Sequence, residues 1–227
     1  MALHALGCRE VAKHRIFTWM HVSVLPGHVL IAFARCDDTT FGILQRRLHV
    51  LWWLRLGTAL DDRPWYTPTT SFDTYPFPYG LTPAATASKQ VQPTTKGALI
   101  PAGLAPGAVA NATAVADAAK RLYDLREPWL NLPEWTEWTP DIVPLGRTIS
   151  LYAQRATARP ETKDEAAKRT LTKLYNDLPP WLQSAHQQLD KAVAEAYGWT
   201  DYTPAMTAIE VRTRLLKLNL SRVGVPA

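Results

Sequence analysis

The stretch RPWYTPTTSFDTYPFP, from Arg63 to Pro78, constrains this chain more than any other. Pro64, Pro68, Pro76 and Pro78 each fix φ and remove a backbone donor. Each also pushes its predecessor (Arg63, Thr67, Tyr75, Phe77) toward extended conformations. The product is a stiff ribbon carrying Trp65, Tyr66, Phe72, Tyr75 and Phe77. Such a ribbon is too rich in proline for an interior strand. It is suited to fastening one structural unit onto another.

The units on either side differ. Residues 15–36 read as a β-hairpin. RIFTWMHVSV and VLIAFARC are rich in β-branched and aromatic residues, and LPGH supplies a turn between them. Asp37, Asp38 and Thr39 offer N-cap oxygens for a helix over about Thr40–Leu56, closed by Gly57. Phe41, Leu44, Leu48, Leu51, Trp52 and Arg55 fall on one stripe of that helix, which leaves Gln45, Arg46 and His49 facing outward. From Tyr79 to Asn111 the chain turns to Ala, Thr, Pro and Gly and reads as a linker. Helix returns near Thr113 and ends before Pro128. A Trp-rich irregular stretch runs from Trp129 to about Pro160. Helices are predicted over Lys163–Asn176, Pro180–Tyr197 and Ala205–Arg222, with Pro180 in a first turn and Gly198 at a C-cap. The fold class is therefore α+β, in three parts. A β-rich unit (hairpin plus helix) fills 1–80, a linker 81–112, and a mainly helical bundle 113–227.

Composition sets the outer limits. A chain of 227 residues that is 47% hydrophobic can bury a core. Its formal charge of +5 suits nucleic acid and a plainly solvated basic surface equally, and its nine tryptophans argue for several packed seams between elements. Cys8 and Cys36 form no CxxC and no disulfide framework, so a reducing cytoplasm is the expected setting. No apolar run is long enough to span a bilayer, so no membrane partner is expected. The opening MALHALGCRE lacks the signature of a secretory leader.

Against that background, the run EVAKHRIFTWM (Glu10–Met20), continued through LPGHVLIAFARCDDTTFGILQRRLHVLWWLRLGTALDDRPWYTPTTSFDTYPFP, resembles a known family. It is similar to the late part of the target-recognition domain of large, single-chain, adenine-specific DNA methyltransferases of the type IIL restriction–modification, MmeI-like group. DLREPWLN (Asp124–Asn131), LTKLYNDLPPWLQSAHQQLDKAVAEAYGW (Leu171–Trp199) and LLKLNL (Leu215–Leu220) resemble that family's C-terminal helical region. The likeness spans nearly the whole chain except its first eight or so residues and the linker. It implies double-stranded DNA as partner, and S-adenosylmethionine as the cofactor of the full-length family, bound upstream. It also departs in places: Trp65 stands where the family usually has a second arginine, and Asp73 and Tyr75 where Glu and Phe are common.

The chemistry of that family is not in this sequence. A Rossmann-like methyltransferase needs a glycine-rich turn after its first strand, and none is present. The nearest text to the Asn/Asp-Pro-Pro-Tyr/Phe loop is NDLPPW (Asn176–Trp181), where Leu178 breaks the spacing. Pro179 and Pro180 read as a helix stop and start. The paired acidic residues and strand lysine of the endonuclease are absent, as is GxSxG. No cofactor and no catalytic residue are therefore expected within the chain, and a methyltransferase domain must be supplied in cis or as a separate chain. With Met1 just before the recognisable run, a truncated or split gene is the expected origin.

The DNA-binding candidates are Lys13, His14, Arg15, Arg46, Arg47, His49, Arg63, Tyr66, Thr67, Thr69 and Thr70. Lys13, His14 and Arg15 form a short basic cluster suited to phosphates. Arginine can fork onto guanine O6 and N7. Arg46 and Arg47 point about 100° apart on a helix, so one is expected to pair with a carboxylate such as Asp37 or Asp38. Arg55 is expected to meet Asp61 or Asp62. Tyr66 and the threonines can reach phosphates by their hydroxyls, or simply anchor the ribbon. Five histidines (His4, His14, His21, His28, His49) lie in the first fifty residues, without the spacing of a zinc motif. Two other readings stay open: a non-enzymatic protein-interaction module with a helical docking surface, and a hydrolase using those histidines.

Overall fold

The amino-terminal sheet is built on a strand that the hydrophobic pattern hides. The computed structural model describes residues 4–21, 24, 26–57, 59–60, 63–87, 90–140 and 154–222. In it His4–Arg9 forms β1, with Leu6, Gly7 and Cys8 buried. Strand β2 (Thr18–His21) pairs with it on one side and β3 (Leu30–Phe33) on the other, both antiparallel. The expected hairpin over 15–36 is thus corrected: its strands form, but neither pairs with the other. The central place goes to β1 because a glycine there admits a neighbour. A Cβ on Gly7 would sit 2.4 Å from Met20 Cε, so its absence lets Met20 lie across the strand.

The expected helix from Thr40 to Leu56 is two helices, α1 (Asp38–Leu44) and α2 (Arg47–Leu56). Asp37 caps α1 through its side chain on Thr40 N–H at 2.7 Å, as the sequence suggested. The break falls at Gln45–Arg46 because both side chains have partners elsewhere. Gln45 Oε1 accepts from Phe17 N–H at 2.8 Å, and Gln45 Nε2 donates to Arg15 O at 3.3 Å. Arg46, extended at ψ 165°, caps nothing. The first turn of α2 is capped instead by Asp190 Oδ1, which accepts from Arg47 N–H at 3.1 Å. Gly57 closes α2 in an extended conformation. Glycine is required there for closeness, since a Cβ would meet Trp65 O at 2.8 Å.

A short pair, β4 (Ala59–Leu60) and β5 (Arg63–Pro64), leads into the proline ribbon, and α3 (Pro68–Ser71) is one turn within it. The ribbon packs inward: Tyr66, Tyr75 and Phe77 are buried. Residues 81–112, expected as a linker, are structured where described. They hold the antiparallel pair β6 (Val91–Pro93) and β7 (Leu99–Pro101), then the start of α4 (Pro106–Leu130). Helix α4 therefore begins before Thr113 and runs past Pro128. That proline is tolerated because it lies in the last turn, where only one internal bond is lost.

The Trp-rich stretch forms a ribbon of β8 (Thr136–Pro140) and β9 (Gln154–Ala158). A 3₁₀ turn (Pro160–Thr162) leads to α5 (Lys163–Lys168) and α6 (Leu171–Asn176), split at Thr170, whose side chain caps α6. Helices α7 (Pro180–Ala196) and α8 (Ala208–Arg222) follow. Pro180 opens α7, and Gly198, at φ +77°, supplies the left-handed residue after it. The core is one continuous cluster from Leu6 to Leu215, and α1 and α7 pack on α4 within it. Small residues set their spacing. A Cβ on Gly42 of α1 would meet Val115 Cγ1 at 2.8 Å and Ala119 Cβ at 2.9 Å.

Candidate nucleic-acid interface

The structure sorts the sequence candidates into a buried set and a surface set. Arg15, Arg46, His49 and Tyr66 are buried. Arg15 donates to the carbonyls of Arg9, Glu10 and Pro64 and lies over the rings of Trp53 (4.5 Å) and Tyr66 (4.9 Å). It clamps the turn after β1 to the ribbon. A Val11–Trp65 bridge and Tyr66 N–H on Glu10 O at 2.9 Å complete the seam. The outward-facing expectation for Arg46 and His49 is corrected. Both fall inward because the break after Leu44 rotates α2 relative to α1.

Arg46 does find a carboxylate, but it is Asp190 on α7 rather than Asp37 or Asp38. Its Nε donates to Asp190 Oδ1 at 2.8 Å, and Nη2 holds Oδ2. Nη1 donates to His186 Nδ1, which leaves the hydrogen on Nε2, buried and without a partner. Burial and the charges of Arg46 and Arg126 push the His186 pKa down to about 3. His49 is fixed likewise. Its Nδ1–H donates to Leu44 O at 2.8 Å, so Nε2 accepts from the Tyr66 hydroxyl at 3.1 Å. Burial lowers its pKa to about 4. Neither imidazole carries a charge at neutral pH, so neither attracts phosphate.

Arg126 was not among the candidates, yet it is fully buried and ties α4 to the sheet. It donates to Gln45 Oε1 at 3.0 Å and Phe17 O at 2.8 Å, and pairs with Glu127 at 3.0 Å. Sequence offers one hint: it lies four residues after the buried Leu122, on the inward face of α4.

The surface set is smaller. Lys13 is exposed, and His14 stacks on Tyr175 at 5.4 Å, its pKa lowered by burial and then by the Lys13 charge. Thr67 is half-buried, while Thr69 and Thr70 are exposed on α3, beside Trp65 at 38% exposure. Thr70 donates to Thr67 O at 3.3 Å, so its hydroxyl already serves the local turn. Arg47, half-buried, is turned toward the start of α8, donating to Met206 O at 2.6 Å. The side chain of Arg63, and the Asp61 and Asp62 expected for Arg55, lie outside the described residues. Clamped as it is, the turn after β1 carries Lys13 and His14 alongside the ribbon that carries Trp65 and the threonines. Arg46 and Arg47 belong to another region, between α7 and α8.

The histidines do not converge. His4 and His21 meet edge to face across β1 and β2 at 5.7 Å, and His49 is in the core. Among the described residues no group of three or more His, Cys, Asp or Glu could hold a metal ion. Among them, too, no helix is long and apolar enough to cross a membrane.

The elements together define an α+β chain: a three-stranded antiparallel sheet and a proline ribbon packed on helices. That arrangement is similar to part of a chain in the structure of the type IIL restriction-modification enzyme MmeI in complex with DNA, with a TM-score of 0.58 and 17% sequence identity. The match covers 99% of this chain and 22% of that one. No family model matches the chain, and no curated protein matches it.

Proposed function

We propose that this chain is the DNA-recognition part of an adenine-specific (N6) DNA methyltransferase of a restriction–modification system. It works with a methyltransferase domain that lies outside these 227 residues, in the same polypeptide or in a separate one. The observation that carries this reading is the shared fold over 99% of the chain with a segment of an enzyme solved on DNA. The sequence supports it, since the glycine turn and the proline loop of the catalytic domain are missing. S-adenosylmethionine belongs to that other domain in this scheme.

The contacts proposed are Lys13 to a phosphate and the Thr69 hydroxyl to the DNA backbone, with Thr67, Thr70 and His14 flanking them. These fix position on a duplex rather than read its sequence. Arg15, His49 and Tyr66 serve by holding the turn and ribbon in register, while Arg46 ties α2 to α7.

The test is an anisotropy titration of labelled duplex at several salt concentrations. Affinity should fall linearly on a log–log plot, and Lys13→Ala should reduce the slope by about one. Absence of salt-dependent binding, alone and with a methyltransferase domain supplied, overturns the reading. So does methyl transfer to DNA by the chain with nothing added except S-adenosylmethionine.

A further inference from the structure

Helix α8 carries two seams of different fate. Val211, Leu215, Leu218 and Arg222 face inward, with Val211 and Leu215 fully buried and Arg222 donating to Phe77 O at 2.7 Å. Ile209, Thr213, Leu216 and Leu220 lie about 160° around the helix from them at 100° per residue. Their steps of four, three and four residues are those of a coiled-coil seam. Yet this second seam is bare: Ile209 is 71% exposed, Leu216 50% and Leu220 59%. It continues into a cleft of about 420 Å³ against α2, walled by Trp52, Arg55 and Leu56. Contiguous apolar surface that is open and rimmed by polar groups marks interaction sites.

Charge says what kind of partner fits. Arg212 flanks the seam on one side and Lys217 on the other, and Arg55 stands across the cleft. Among the described residues none of the three makes an ion pair. The acidic groups nearby are taken, since Asp201 and Glu210 both bind Arg214, at 2.5 and 2.7 Å. A bare apolar seam with cations on both flanks opposes a second copy of itself, because like charges would meet across the pair. It also suits DNA poorly, because Ile209, Leu216 and Leu220 occupy the ground between the cations.

We propose that the α2–α8 cleft docks an amphipathic helix of another polypeptide, its apolar stripe flanked by Glu or Asp. The helix lays its stripe on Ile209, Leu216 and Leu220 and presents carboxylates to Arg55, Arg212 and Lys217. This rests on the reading of the chain as one part of a larger assembly, and adds where and by what chemistry another part attaches.

The test uses the full chain and two fluorescein-labelled helical peptides with the same leucine heptads, one with Glu at the flanking positions and one with Lys. The Glu peptide should bind at least tenfold tighter, and Leu216→Glu should abolish that binding. Arg55→Glu with Arg212→Glu should reverse the preference between the two peptides. Duplex DNA affinity should be unchanged by these substitutions, so the DNA reading stands or falls separately. Equal binding of both peptides, or no binding, overturns the proposal. So does a dimer in light scattering that Leu216→Glu dissolves, or a loss of DNA affinity in Arg55→Glu/Arg212→Glu.

Discussion

Helices α4 and α7 pack directly on each other, whereas none of the described residues in the 131–179 arm between them is buried. In α4 and α7, Ala112, Val115, Ala119, Leu122, Leu182, Leu189 and Val193 are all fully buried. In α5 and α6 no residue is buried. The body is held by close backbone approach through alanines and Gly42, with polar staples (Arg46–Asp190, Arg126–Gln45) sealed inside it. The arm is held by a few rings and caps: Tyr175 on His14 and Trp129, and Arg169 over Trp135. One chain thus contains a region where a methyl group matters and another where it does not.

The largest break should come at the staple. Asp190→Ala strands a buried guanidinium and uncaps α2, and should cost about 3–5 kcal/mol in urea unfolding. Gly42→Val, which forces Val115 and Ala119 apart, should cost about 1–3 kcal/mol or more. The matching change in the arm, Ala167→Val at an exposed site, should stay within about 0.5 kcal/mol. Equal effects at the two sites would erase the contrast.

Acid should act on the body with a definite sign. Burial holds the His49 and His186 pKa values at about 4 and about 3, below the ordinary imidazole value of 6.5. Their contribution is present above pH 6.5 and is lost as pH falls through those values. Asp38 opposes them. Burial raises its pKa to about 6 although it accepts from Leu99 N–H at 2.7 Å. Its contribution is complete below its unfolded value near 3.8 and is lost as pH rises through 6. Asp38→Asn should therefore raise stability at pH 8 by about 1–2 kcal/mol and change little at pH 4. A drop in stability at pH 8 would contradict this. Tyr175→Ala should show little in global unfolding, under about 1 kcal/mol, while amide exchange accelerates across 163–176 and stays slow in α4 and α7.

Much of the body was legible because its signals are local. Asp37 as a cap, Gly57 and Gly198 as helix ends, Pro180 as a helix start and the inward ribbon all follow from residue chemistry at one position. What was hidden depends on distant partners. Strand β1 has little β-branched content, and only Met20 lying over Gly7 makes it central. Arg46 and His49 sit on the polar side of a continuous helix, and the distant partners of Gln45 and Arg46 break that helix and turn them inward. The linker was misjudged for a related reason. Alanine and threonine look featureless until α1 and α7 offer a surface that only small residues can approach. At the candidate interface, Lys13 and the threonines were legible as exposed polar groups. Arg126 was not, since a lone arginine between Leu125 and Glu127 reads as solvated.

The cap on α2 also bears on how the chain comes off the ribosome. Its first turn depends on a carboxylate that is translated 143 residues after Arg47. At translation rates of about 5–20 residues per second, that wait is on the order of ten seconds. During it the nascent sheet and ribbon stand beside a helix with an open end and an unmatched Arg46.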